Sequence, residues 1–176
     1  MKYSWIAIIL FSVSNNIIAQ SKAIIGMTQN EVKKIYPDVE TSSYQNTITL
    51  SRHETIYGLD GGWGYQFEEG KLNWIYYNKY IDEITDTNFK LCLAATKQII
   101  KDYTKLYGNP DTTITGKEKF IDPYTKPHWG YNVLEARWKD SKGMKINVRF
   151  TFLGGKGQYH FLVKINYFDK TYPYLD

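Results

Sequence analysis

The sequence predicts an α+β domain, an antiparallel β-meander with two helices on one face. Three observations carry this. Two segments repeat apolar residues at helical spacing between cap signals. Most of the remaining chain alternates apolar with polar residues, the mark of strands covered on one face only. Short turns rich in Gly and Asp separate those runs, as in hairpins.

The first twenty residues stand apart. Lys2 forms a short charged start, residues 6–13 are apolar apart from Ser12, and Ala19 offers a small residue before Gln20. This is the layout of a cleavable signal peptide over residues 1–20. A spanning helix needs about 20 mostly apolar residues, and Ser14, Asn15 and Asn16 interrupt this stretch too early. Residues 21–176 are then the working domain, periplasmic or secreted, with no transmembrane helix. A lipid anchor needs a Cys just after the apolar stretch, whereas the single Cys is Cys92. One Cys also rules out an internal disulfide, so packing alone must hold the fold.

The first helix starts at a capping box, Thr28 with Glu31 three residues on. Met27 and Val32 can close a hydrophobic staple. Val32, Ile35 and Tyr36 share one face, and Pro37 stops the helix. Residues 46–57 supply one or two strands. Residues 63–67 and 71–80 form a hairpin about Glu68, Glu69 and Gly70. The second helix covers residues 87–107, where Phe89, Leu93, Thr96, Ile100, Tyr103 and Tyr107 recur at alternating steps of four and three. Cys92, Ile99 and Leu106 widen that stripe, and Gly108 and Pro110 end it. Residues 133–139, 144–152 and 159–167 alternate as strands, joined by turns at residues 140–143 and at the Gly-rich 154–157.

The order is therefore helix, three strands, helix, three strands. Residues 31–41 and 102–112 share Lys, Tyr and Thr at matching positions, and Trp-Gly-Tyr occurs at residues 63–65 and 129–131. A single domain built of a tandem helix-plus-three-strand unit, about 21–82 and 83–176, is the economical architecture. Neither half carries enough apolar surface alone, and the pair can share one sheet.

Two motifs carry a family likeness. I-G-M-T-x-x-E-V…P over residues 25–37, then W-x-Y-x-F-x-x-G-K-L-x-x-I over residues 63–75, resembles the SmpA/OmlA outer-membrane assembly lipoproteins. The likeness covers the first half; the second half matches in element order. It implies the helix-plus-meander fold shared with the β-lactamase-inhibitor-protein group. In that group the unit can be tandem, and a concave sheet face grips partner proteins. The lipid-bearing Cys of the lipoproteins has no counterpart here.

Catalytic signatures are missing. His53, His128 and His160 form no H-E-x-x-H, and one Cys leaves no structural zinc set. The Gly-rich 154–157 lacks the P-loop pattern, and no G-x-S-x-G occurs. Cys92 lies on an apolar helix stripe, where a thiol is inert. No metal or cofactor is expected, and whether the chain is an enzyme stays open, with no catalytic motif in favour. The formal charge is +4, and Lys2 in the leader supplies one of those charges. That is too little to argue nucleic-acid binding.

Binding is the remaining expectation. Trp63, Trp74 and Trp129 stand near strands or turns. Arg137, Arg149 and Lys164 fall on strands of the second half, several on the open sheet face. Trp and Arg dominate interface hot spots. Two functions fit. One is an exported, non-catalytic protein that contacts another envelope or secreted protein through the open face. The other is a small-ligand or glycan-binding protein or hydrolase. It would use exposed aromatics and a carboxylate pair drawn from Asp60, Glu68, Glu69, Glu118 and Asp122.

Overall fold

The computed structural model describes residues 20–124, 130–155 and 158–171. Residues 1–19, where a signal peptide is expected, Trp129 and the centre of the Gly-rich turn, 156–157, lie outside the described residues.

Helix α1 (Gln29–Ile35) opens at the expected capping box. The Glu31 N–H donates to the Thr28 hydroxyl at 3.4 Å, and the Glu31 carboxylate accepts from the Thr28 N–H at 2.7 Å. Four strands follow: β1 (Glu40–Tyr44), β2 (Thr47–Ile56), β3 (Leu59–Glu68) and β4 (Lys71–Ile81). Helix α2 (Asp86–Tyr107) is capped by Thr85 and ends at Gly108, whose φ of 83° suits the residue that lacks a Cβ. Four more strands complete the chain: β5 (Thr112–Thr115), β6 (Tyr131–Ser141), β7 (Met144–Gly155) and β8 (Gln158–Asp169).

All eight strands join one antiparallel sheet in the order β1-β2-β3-β4-β8-β7-β6-β5. Two meanders thus meet where β4 pairs with β8. Each helix precedes four strands rather than the three expected. The additions are the edge strands β1 and β5, which carry no apolar alternation because almost every position is exposed. Three hairpins close through two-residue loops, Tyr57-Gly58, Glu69-Gly70 and Lys142-Gly143. Both φ angles are positive in each, the geometry that matches strand twist.

Both helices pack on the same sheet face. Tyr36 at the end of α1 stacks on Tyr65 at 5.3 Å, and the Arg52 guanidinium lies 4.3 Å from the Tyr36 ring. From α2, Phe89 packs on Phe150 and Phe161, and Tyr103 on Trp138 and Tyr167. The Tyr103 and Tyr167 hydroxyls bond each other in this core. Residues 21–23 are held against this core too. Ser21 and Ala23 are buried, and the Lys22 N–H donates to the Tyr36 hydroxyl at 2.6 Å.

Cys92 is fully buried on α2, and desolvation pushes its thiol up to about 12. A thiol that stays protonated and shielded does not react. Native protein at neutral pH should therefore resist a thiol-reactive dye, and label fully once urea unfolds it. Rapid labelling without denaturant would place Cys92 elsewhere.

Candidate functional site on the helix-free sheet face

The strand register sets out the second face in rows. One row runs Asn78, Lys164, Arg149, Glu135 across β4, β8, β7 and β6. The next runs Gly64, Tyr76, Asn166, Asn147, Arg137 across β3, β4, β8, β7 and β6. A third places Trp74 beside Phe168 and Lys145. Of the residues singled out from sequence, Trp74, Arg137, Arg149 and Lys164 come together on this face. Trp63 does not. It faces the helices at 1 % exposure, between Tyr77 and Tyr167, and its indole donates to Glu54 at 2.5 Å. Its period-two neighbours Tyr65 and Phe67 are buried with it. Trp63 is a core residue, not a docking residue.

A hydrogen-bonded chain crosses the face. The Trp74 indole N–H donates to Asn166 at 3.1 Å, Asn166 donates to Asn147 at 3.3 Å, and Asn147 donates to Glu135 at 2.6 Å. Every link points its acceptor toward the Glu135 carboxylate, so the bonds polarise one another. Glu135 also accepts from Arg137 Nε at 2.7 Å and from Asn132 at 2.9 Å. It is buried at 1 % exposure, and these donors compensate its charge. Sequence reasoning missed Glu135, Asn147 and Asn166. Glu135 and Arg137 stand two apart on one strand, a spacing that puts both on one face and could have disclosed the pair.

Arg137 is thereby committed to Glu135. Arg149 and Lys164 are not committed. They lie directly opposite each other on β7 and β8. Among the described residues no carboxylate bonds either one. Arg149 Nε is shut off from solvent without an acceptor, and Asn78 Oδ1, on the other side of Lys164 in the row, has no donor. The Lys164 ammonium sits 4.9 Å from the Trp74 ring and 5.9 Å from the Tyr76 ring. Desolvation, then the charge of Arg149, lowers Lys164 to about 8.

The aromatic side of the site is built on glycine. The Tyr76 ring lies so close over Gly64 that an added Cβ would come within 2.1 Å of it. Along β4, Trp74 and Tyr76 pack at 4.7 Å, and Tyr80 projects at 54 % exposure two strand steps beyond Tyr76.

The depressed lysine has a pH consequence. A free lysine titrates near 10.4, so between about pH 8 and pH 10 the unfolded chain binds the proton that folded Lys164 has lost, which favours folding as pH rises. Cys92, raised to about 12 from a free value of about 8.5, keeps its proton in the folded chain and offsets that gain over the same range. Above that window the raised Tyr103 and Tyr167 keep protons that the unfolded chain has lost, and stability falls. Urea unfolding should therefore show a nearly level profile in the parent over this window and a fall with pH in Lys164→Met. The same slope in both would mean that Lys164 adds nothing to the pH dependence.

Other concavities lie elsewhere. A cleft of about 240 Å³ at the β1–β3 end is lined by Asp38, Glu40, Arg52, His53 and Trp63. Its cation is already used: Arg52 bonds Glu54 at 2.7 Å and Tyr65 at 3.0 Å. A second cavity, of about 290 Å³, lies under residues 20–24, beside Tyr107 and Tyr167. Among the described residues no three His, Cys, Asp or Glu side chains gather as a metal site, and no helix is long and apolar enough to cross a membrane. No protein-family model matches the chain, and no curated protein or solved structure matches it.

Proposed function

We propose that this is an exported, non-catalytic binding protein that docks a partner protein on the helix-free face of its sheet. The observation that carries the reading is the Arg149–Lys164 pair. Two like charges opposite each other on neighbouring strands oppose folding, and among the described residues no carboxylate bonds either one. A fold shaped for stability alone would put neutral side chains there. Trp74, Tyr76 and Tyr80 beside the pair supply the aromatic area that interface hot spots favour. The element order, a helix and then four strands twice over, supports a duplicated unit. The likeness of residues 25–75 to the SmpA/OmlA group supports a role at the cell envelope. The leader-like residues 1–20 support export, and intact-mass measurement of the secreted form should find a chain beginning at Gln20 or Ser21.

Photo-crosslinking tests the docking face. A crosslinking residue at 149 or 164 should give adducts in the producing cell, whereas one at 94 or 101, exposed on α2, should not. Face positions that crosslink no more than the helix positions would contradict the reading.

A second reading has one observation behind it, the cleft that joins Trp63 to Asp38 and Glu40. A glycan site needs an exposed ring to stack on, and Trp63 offers almost none. Both carboxylates are exposed, where the desolvation that shapes catalytic acids is weak. Protein docking is the better supported function.

A further inference from the structure

We infer that the docked partner presents an acidic segment, one carboxylate of which seats between Arg149 and Lys164 while its neighbours pack on Trp74, Tyr76 and Tyr80. This rests on the docking reading above and specifies the chemistry of the partner.

Charge complementarity carries it. The only acidic group in the central rows is Glu135, and its oxygens are taken by Arg137, Asn147 and Asn132. Arg149 and Lys164 therefore have no carboxylate partner among the described residues, and the neighbouring Asn78 Oδ1 is a neutral acceptor that leaves their charge uncompensated. An arriving carboxylate can accept from the guanidinium and the ammonium together, a charge-assisted pairing stronger than neutral hydrogen bonds. It also relieves the repulsion between them. The half-buried setting strengthens the attraction, since Trp74 and Tyr76 exclude water from one side of the ammonium.

The form of the face selects a protein over smaller or larger anions. A small anion can fill the gap between the two cations but leaves Trp74, Tyr76 and Tyr80 beside it uncovered. A polypeptide brings its own cover and reaches the aromatic ladder as well. A nucleic acid calls for a broad stripe of cations; on this face Arg137 is tied to Glu135 and Lys145 is buried, which leaves Arg149 and Lys164 too few to make one.

The test uses purified protein and synthetic peptides, followed by NMR. Hexaglutamate should shift the Trp74 indole and the Arg149 and Lys164 side chains in a saturable way, and should weaken as salt rises from about 0.05 M to about 0.5 M. Arg149→Gln and Lys164→Gln should each weaken it about tenfold, whereas Lys101→Gln, exposed on α2, should not. A second measurement needs no variant: saturating hexaglutamate should raise the titration midpoint of Lys164 above its free value. The inference is overturned if hexaglutamine shifts the same resonances equally, if free glutamate or inorganic phosphate binds as tightly, or if the Lys164 midpoint stays put. Crosslinks from 149 and 164 that persist despite such a result would leave the docking face standing and remove only the acidic partner.

Discussion

Trp63→Ala should be among the most damaging single substitutions in this chain, costing about 3–5 kcal/mol, the range for truncating a buried aromatic. The ring fills the core between Tyr77 and Tyr167 at 1 % exposure. Its loss also removes the indole donor from Glu54, which keeps only Arg52. A domain of this size has about 5–15 kcal/mol in total, so the variant should unfold at much lower urea, as followed by far-ultraviolet circular dichroism. Trp74→Ala on the other face should unfold near the parent and lose binding instead. Equal unfolding midpoints for parent and Trp63→Ala would contradict the assignment of Trp63 to the core.

Glu135→Ala should cost a similar amount, about 3–5 kcal/mol, because it strands a buried donor set. Arg137, Asn147 and Asn132 all donate to that carboxylate, and Asn147 is buried with it. Breaking one partner is the expensive event; replacing both by apolar groups of similar shape is not. Glu135→Leu combined with Arg137→Met should therefore unfold at higher urea than Glu135→Ala alone. If the double variant is the less stable of the two, the carboxylate is not the hub of the network.

The contrast between the two tryptophans shows what was legible in the chain and what was not. Both helices were readable, α1 from the Thr28–Glu31 box and α2 from a stripe that runs from Phe89 to Tyr107. The hairpins were readable because two-residue loops with positive φ demand residues such as the Gly of Glu69-Gly70 and Lys142-Gly143. The edge strands β1 and β5 were not, since neither face of an exposed edge need be apolar. Period two put several second-half cations on the open face, and the register sets Arg149 and Lys164 there opposite each other. It could not phase β4. Leu72, Trp74 and Tyr76 alternate in the sequence, but an irregularity in the β3–β4 ladder at Gln66 and Phe67 puts Leu72 with Ile75 and Tyr77 in the core. Trp74 is thereby turned outward. Asn147 and Asn166 read as solvated positions between apolar neighbours, yet both are buried. Their partners lie on other strands, and that pairing is set by the register rather than by anything local in the sequence.

The central claim is that Arg149 and Lys164 are kept for a partner at the expense of the fold. Urea unfolding of the double variant Arg149→Met, Lys164→Met at neutral pH tests it most directly. Removing two unneutralised, half-buried charges should leave the protein at least as stable as the parent. A loss of more than about 1 kcal/mol, the worth of an ordinary intramolecular hydrogen bond, would make the pair part of the scaffold and contradict the account.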